Sequence, residues 1–125
     1  MTVVYDAGAL VAAERSNRRL WADHRARLEL GLVPLTTAPV VAQVSRSAQQ
    51  VQLRRFLRGC QVVPLAGSDA HEVGALAGAS GVADVVDVHV VLVARRARAS
   101  VLTSDDRDLS RVAATLPERV ALLRV

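Results

Sequence analysis

The sequence predicts an α/β fold, a mainly parallel central sheet of about five strands with helices on both faces. Two observations predict it. Short runs of three to five residues, apolar on both sides, recur along the chain, as strands covered on both faces require. Between them lie stretches with helical spacing and helix-end signals. The resulting order, β-α-α-β-α-α-β-α-α-β-α-β, supplies the crossovers that parallel strands need. At 125 residues and 51% apolar composition, one domain spanning residues 1–125 is expected, with a core of its own.

The elements follow in order. Val3-Val4-Tyr5 reads as the first strand and Asp6–Ala13 as the first helix. A second helix covers Asn17–Leu30, with Asn17 as a candidate N-cap and Gly31 as its stop. Val33-Pro34-Leu35 reads as the second strand. Pro39 marks a first helical turn, with Val40, Val41 and Val44 along one side. Gln49–Leu57 sets Val51, Leu53, Phe56 and Leu57 against Arg54, Arg55 and Arg58. Gln61–Leu65 is the third strand. Ser68 and Glu72 flank the start of a helix running to about Gly78, and Val82–Ala97 is a longer one. Ser100–Thr103, then a helix over Asp106–Leu116, then Val120–Leu123 close the pattern.

Composition excludes several chemistries. All 16 basic residues are Arg, so no Schiff-base lysine, phosphate-loop lysine or Ser–Lys dyad exists. The net charge of +4 and the always-charged, forked guanidinium suit a polyanionic partner. Codon bias explains an Arg-only composition equally well. Aromatic content is 2%, Tyr5, Trp21 and Phe56, which argues against a base-stacking platform. The lone Cys60 reads as a small buried hydrophobe, and His24, His71 and His89 lack zinc-site spacing. With no basic-then-apolar leader and no apolar stretch long enough for a bilayer, a soluble cytoplasmic protein without membrane contact is expected.

In an open parallel sheet, ligands gather beyond the carboxyl ends of the strands. Asp6 ends the first strand and Asp105 follows the fourth. Asp84 and Asp87 open the long helix three residues apart, and Asp105 and Asp108 repeat that spacing. Four strand-end or helix-end acids thus converge on one sheet edge. Converging carboxylates repel unless a cation neutralises them. A hard divalent ion, Mg²⁺ or Mn²⁺, suits oxygen ligands. Such an ion can acidify a water and offset charge on a phosphodiester. The alternative is helix capping, since Asp6, Asp84 and Asp106 all stand where an N-cap is expected. His89 lies about 200° around the helix from Asp87 and is expected to face elsewhere.

Three stretches carry a family resemblance: Val3-Val4-Tyr5-Asp6-Ala7-Gly8-Ala9-Leu10, Ala83-Asp84-Val85-Val86-Asp87-Val88-His89-Val90 and Leu102-Thr103-Ser104-Asp105-Asp106-Arg107-Asp108-Leu109. In their order and spacing the sequence resembles the PIN-domain ribonucleases, and closely the VapC-type toxins of bacterial toxin–antitoxin pairs. The resemblance implies a three-layer α/β/α sandwich and Mg²⁺- or Mn²⁺-dependent cleavage of RNA. It implies Asp6, Asp87 and Asp105 as catalytic metal ligands, Asp84 and Asp108 as auxiliary acids, and Thr103 and Ser104 as hydroxyl donors. It also implies an antitoxin partner and a homodimer. One position departs from the pattern: the family's usual third-helix Glu is Gln43, which offers an oxygen but no charge. That departure keeps a non-catalytic RNA- or partner-binding domain open as an alternative, beside a housekeeping RNA-processing nuclease.

Arg15, Arg18 and Arg19, after the first helix, are candidates for the RNA backbone near Asp6, or form a solvated basic loop. Arg46, Arg54, Arg55 and Arg58 form a second basic group. Arg95, Arg96 and Arg98 suit the negative end of the long helix. Leu20, Trp21 and Leu28 are the expected antitoxin or dimer contact.

Overall fold

The computed structural model describes residues 2–125. Five strands, β1 Val3–Tyr5, β2 Leu35–Thr37, β3 Gln61–Val63, β4 Ser100–Thr103 and β5 Leu122–Arg124, form one sheet in the order β3-β2-β1-β4-β5. Every neighbouring pair is parallel. Seven helices connect them: α1 Ala7–Glu14, α2 Arg18–Glu29, α3 Ala38–Val44, α4 Val51–Leu57, α5 Ala70–Ser80, α6 Val85–Ala97 and α7 Arg107–Ala114. A 3-10 turn at Gly67–Asp69 leads into α5.

The helices divide into two layers. α1 packs against α2, α3 and α4, and α6 against α5 and α7, while both α1 and α6 touch the sheet. The expected α/β/α sandwich is therefore what forms, with a sheet that is wholly parallel. β1 and β4 are fully buried, as two-sided covering demands. α6 is buried from Val88 through Ala94, which makes it the central helix of its layer.

Three strands, β2, β3 and β5, differ from expectation. β2 lies at Leu35–Thr37 instead of Val33–Leu35, and Val33 is 52% exposed. The β-branched pair Thr36-Thr37 carries the strand. The Thr36 hydroxyl donates to the Tyr5 carbonyl at 2.8 Å, a partner no apolar residue could use. β3 and β5 are shorter or shifted and largely exposed, because each has a neighbour on one side only.

Local signals set the helix ends. Asn17 accepts from the Leu20 amide at 3.0 Å and so caps α2, and Thr37 caps α3 through the Val40 amide. Gly31 and Gly81 take the left-handed backbone, φ 75° and 71°, that ends α2 and α5. Under α2, the Tyr5 hydroxyl meets His24 Nδ1 at 2.8 Å and accepts from Arg27 at 3.3 Å. Burial pushes the Tyr5 pKa up to about 12 and His24 down, so both stay neutral.

Two expectations about surface residues change here. Leu20 is buried in the core and Trp21 is half-buried, its indole donating to the Ala13 carbonyl at 3.0 Å. Of the three residues assigned to a partner contact, only Leu28 remains exposed. Arg95 and Arg96 do more than oppose a helix dipole. Arg96 holds Asp69 at 2.9 Å and Glu72 at 2.8 Å, and Arg95 holds Glu118 at 3.1 Å, tying α6 to its neighbours. Cys60 is half-buried, with its thiol pushed up to about 12 by desolvation. Among the described residues no single helix is long and apolar enough to cross a membrane.

Candidate active site

The order in which strands join the sheet reverses at β1. From β1 the chain steps outward to β2 and β3, then returns to lay β4 on the other flank. A crevice opens beyond the strand ends at such a switch point. Asp6 follows β1 there, and Thr103-Ser104-Asp105 complete or follow β4 there. Strand register joins them: Tyr5 pairs with Leu102, and the Asp6 amide donates to the Leu102 carbonyl at 3.0 Å.

The cleft at this point has a volume of about 460 Å³, and its walls include Asp6, Asp87, Thr103, Ser104, Asp105 and Asp108. Arg107 and Arg111 of α7 line it too. Three acids expected from the sequence, Asp6, Asp87 and Asp105, are thus brought to one cleft, with Asp108 beside them.

The structure separates capping from site roles among the N-terminal acids. Asp84 caps α6, its Oδ1 accepting from the Val86 amide at 2.9 Å and from the Asp87 amide at 3.4 Å. It is not among the residues lining the cleft. Asp6 and Asp106 occupy the same position on α1 and α7 but make no side-chain cap. The Asp6 carboxylate is aimed at β4, and its Oδ2 accepts the Thr103 hydroxyl at 2.9 Å. Its Oδ1 is buried and has no hydrogen-bond partner. The Ala7 N–H approaches the carboxylate and lowers its pKa, without a well-aligned hydrogen bond to Oδ1. An unpaired buried carboxylate oxygen costs about 1–3 kcal/mol, so its position is a liability unless something positive approaches.

Burial and charge crowding shift the carboxyl groups. Desolvation first, then the nearby Asp84, Asp6, Asp108 and Asp105 charges, push the Asp87 pKa from 3.8 up to about 7. Asp6 is raised as well, chiefly by desolvation. Asp105 moves the other way, because Arg107 closes on it. The Arg107 fork donates Nη2 to Oδ2 at 3.0 Å and Nε to Oδ1 at 3.2 Å.

Among the described residues, no three His, Cys, Asp or Glu side chains stand close enough together to hold a metal ion as now placed. Asp105 is turned onto Arg107 and Asp84 onto its own helix. The donor chemistry nonetheless fits a hard divalent cation. Carboxylate oxygens line one cleft, one buried oxygen lacks a partner, and burial together with repulsion pushes the Asp87 pKa up to about 7.

Not every expected residue arrives here. Gln43 is exposed on α3 and does not line the cleft. Arg15, Arg18 and Arg19 do not line it either, because the eight residues of α1 carry the chain about 12 Å from Asp6 first. Arg18 borders a separate groove with Trp21, Arg25, Gln52 and Arg55, where no carboxylate lines the wall. Arg19 borders another with Asp23, Arg27 and Arg124. His89 is fully buried in α6 and faces away from the cleft, as its spacing from Asp87 predicts.

Arg107 and Arg111 of α7, and Gly8, are lining residues that were missed. Gly8 lines the cleft, and a Cβ there would lie 2.6 Å from the Ser104 Cβ and 2.8 Å from the Ser104 backbone nitrogen. Gly8 therefore permits α1 to approach the loop bearing Ser104 and Asp105. The signal was present as Asp6-Ala7-Gly8 at a helix start, where a glycine otherwise weakens the helix.

Comparisons with known proteins bear on the fold and the family. No curated protein matches in sequence. A chain of the VapBC2 complex from Rickettsia felis, solved bound to a promoter DNA fragment, superposes with a TM-score of 0.71 at 15% identity, covering 100% of this chain and 99% of that one. PAE2754 from Pyrobaculum aerophilum superposes with a TM-score of 0.63 at 19% identity, covering 97% and 92%. These likenesses establish the fold. The PIN domain family model matches residues 3–115, from β1 to the end of α7. The chain belongs to the PIN-domain family.

Proposed function

We propose that this chain is a Mg²⁺- or Mn²⁺-dependent endoribonuclease of the VapC toxin type, held in check by a cognate antitoxin and working in the cytoplasm as a homodimer. The observation that carries the reading is Asp6. Its carboxylate is withheld from capping α1 and buried beside β4, with Oδ1 unpaired in the same cleft as Asp87 and Asp105. Membership of the PIN family supports a nuclease. The likeness to a chain of a VapBC complex supports an antitoxin partner.

Asp6, Asp87 and Asp105 would hold the cation, with Asp108 close enough to assist and Asp84 contributing charge from its cap. A divalent cation bound there supplies neutralisation of phosphodiester charge and acidification of a water. The Thr103 hydroxyl fixes the rotamer of Asp6 through Oδ2. This leaves Oδ1 buried and unpaired, free to accept. Ser104 offers a hydroxyl at the rim, and Arg111, whose Nη2 donates to the Gly81 carbonyl at 3.3 Å, presents positive charge for a phosphate. Arg15, Arg18 and Arg19 would guide the strand farther from the cut.

The test is cleavage of single-stranded RNA with Mg²⁺ or Mn²⁺, with and without chelator, by the native chain and a folded Asp6→Asn variant. The expected result is cleavage abolished by chelator and by the substitution. Full cleavage by a folded Asp6→Ala protein overturns the reading. Gln43 favours a second reading, a non-catalytic RNA- or partner-binding PIN domain. That reading requires RNA binding without metal-dependent cleavage.

A further inference from the structure

Arg107 stands out among the basic residues because it neutralises a residue that the proposed reaction needs free. Its guanidinium closes on the Asp105 carboxylate through Nη2 at 3.0 Å and Nε at 3.2 Å. Its own backbone amide also donates to Asp105 Oδ1 at 3.2 Å. Both residues line the acidic cleft. Among the described residues no other hydrogen bond or ion pair holds the Arg107 side chain, which is 86% exposed. Arg111, one helical turn on, is by contrast tethered to the Gly81 carbonyl and lies 3.9 Å from Asp108.

The pair is a poor structural element. A doubly exposed ion pair adds little stability, since water screens it and two mobile side chains must be ordered. It contrasts with the Arg96 clamp on Asp69 and Glu72, which joins α6 to the start of α5. What the Arg107 fork does is mask one carboxylate in a cleft where the other two are crowded and raised in pKa. A cation that takes Asp105 must displace the guanidinium. The displaced group, on the first turn of α7, is then left beside the position of an arriving phosphate.

We infer that Arg107 is a displaceable internal counter-ion, masking Asp105 in the cation-free cleft and transferring to an RNA phosphate when a divalent cation claims that carboxylate. This rests on the proposed nuclease reading of the cleft. It makes Arg107 a positioning residue with two opposed effects: it weakens cation binding and strengthens RNA binding to the loaded site.

The test uses the whole chain, native and as Arg107→Gln and Arg107→Lys. Mn²⁺ is titrated by calorimetry, and a short single-stranded RNA is then titrated in Ca²⁺, with thermal unfolding as a check on the fold. Apparent affinity falls in proportion to the fraction of binding-competent sites, so removing an exposed pair of ordinary strength tightens Mn²⁺ binding about two- to sixfold. Arg107→Lys, which keeps the charge without the fork, falls between. In Ca²⁺, Arg107→Gln binds RNA several-fold more weakly, with a salt dependence shallower by about one phosphate contact. Mn²⁺ affinity that is unchanged or weaker in a folded Arg107→Gln variant overturns the inference, as does unchanged RNA affinity. A native chain that shows the Mn²⁺ effect but cuts no RNA overturns the nuclease reading alone. Failure of every variant to bind Mn²⁺ overturns both.

Discussion

Replacing Asp87 with Asn tests whether the cleft stores electrostatic repulsion when no cation is bound. Burial and four neighbouring acids raise its pKa from 3.8 to about 7. For an acid raised in the folded state, the stabilising contribution is complete below the unfolded pKa and is lost as pH rises through the folded one. The loss therefore falls between about pH 4 and pH 7. A shift of this size corresponds to at most about 4 kcal/mol. Asp87 is half-buried in an open cleft, so solvent screening reduces the figure to about 1–2 kcal/mol. In chelator at pH 8, Asp87→Asn should melt roughly 4–8 °C above the native chain, and the gap should close near pH 4. Taking the difference between the two proteins removes the contribution of His24 and His89. Burial lowers both histidines, so they act oppositely, costing stability as pH falls below about 6.5. In millimolar Mn²⁺ the order should invert, because only the native cleft gains ligand stabilisation. The assay is thermal unfolding by circular dichroism across pH 4–8. An Asn variant no more stable than the native chain at pH 8 in chelator, or a gap independent of pH, would refute the reasoning.

Two further substitutions probe the frame around the cleft. Gly8→Ala sets a Cβ against the Ser104 backbone at 2.8 Å and should destabilise by about 1–3 kcal/mol while displacing the Asp105 loop; a melting temperature and cleavage rate at native values would contradict it. Tyr5→Phe removes the partner of His24 Nδ1 and of Arg27, and urea denaturation should show a loss of about 1–3 kcal/mol; a loss under about 0.5 kcal/mol would mean that the hydroxyl contributes nothing.

Sequence alone determined the alternation of strands and helices, because burial on both faces leaves an apolar signature in Val3-Val4-Tyr5 and Ser100–Thr103 that needs no partner to be read. It also placed Asp6 and Asp105 after the strands whose ends bound the cleft, and turned His89 away from Asp87. The second strand was less legible. Leu35–Thr37 is held by a hydroxyl reaching the Tyr5 carbonyl, an interaction between residues 31 apart in the chain. Only the tertiary structure decided which acids cap and which stay available: Asp6, Asp84 and Asp106 share one local position, yet Asp84 alone turns back on its helix. What separates them is β4, which offers Asp6 the Thr103 hydroxyl 97 residues away. Arg18 and Gln43 show the same limit. Helix length and direction, set by packing, carry them away from the cleft. Local propensity names the residues that can serve a site, and long-range packing selects those that do.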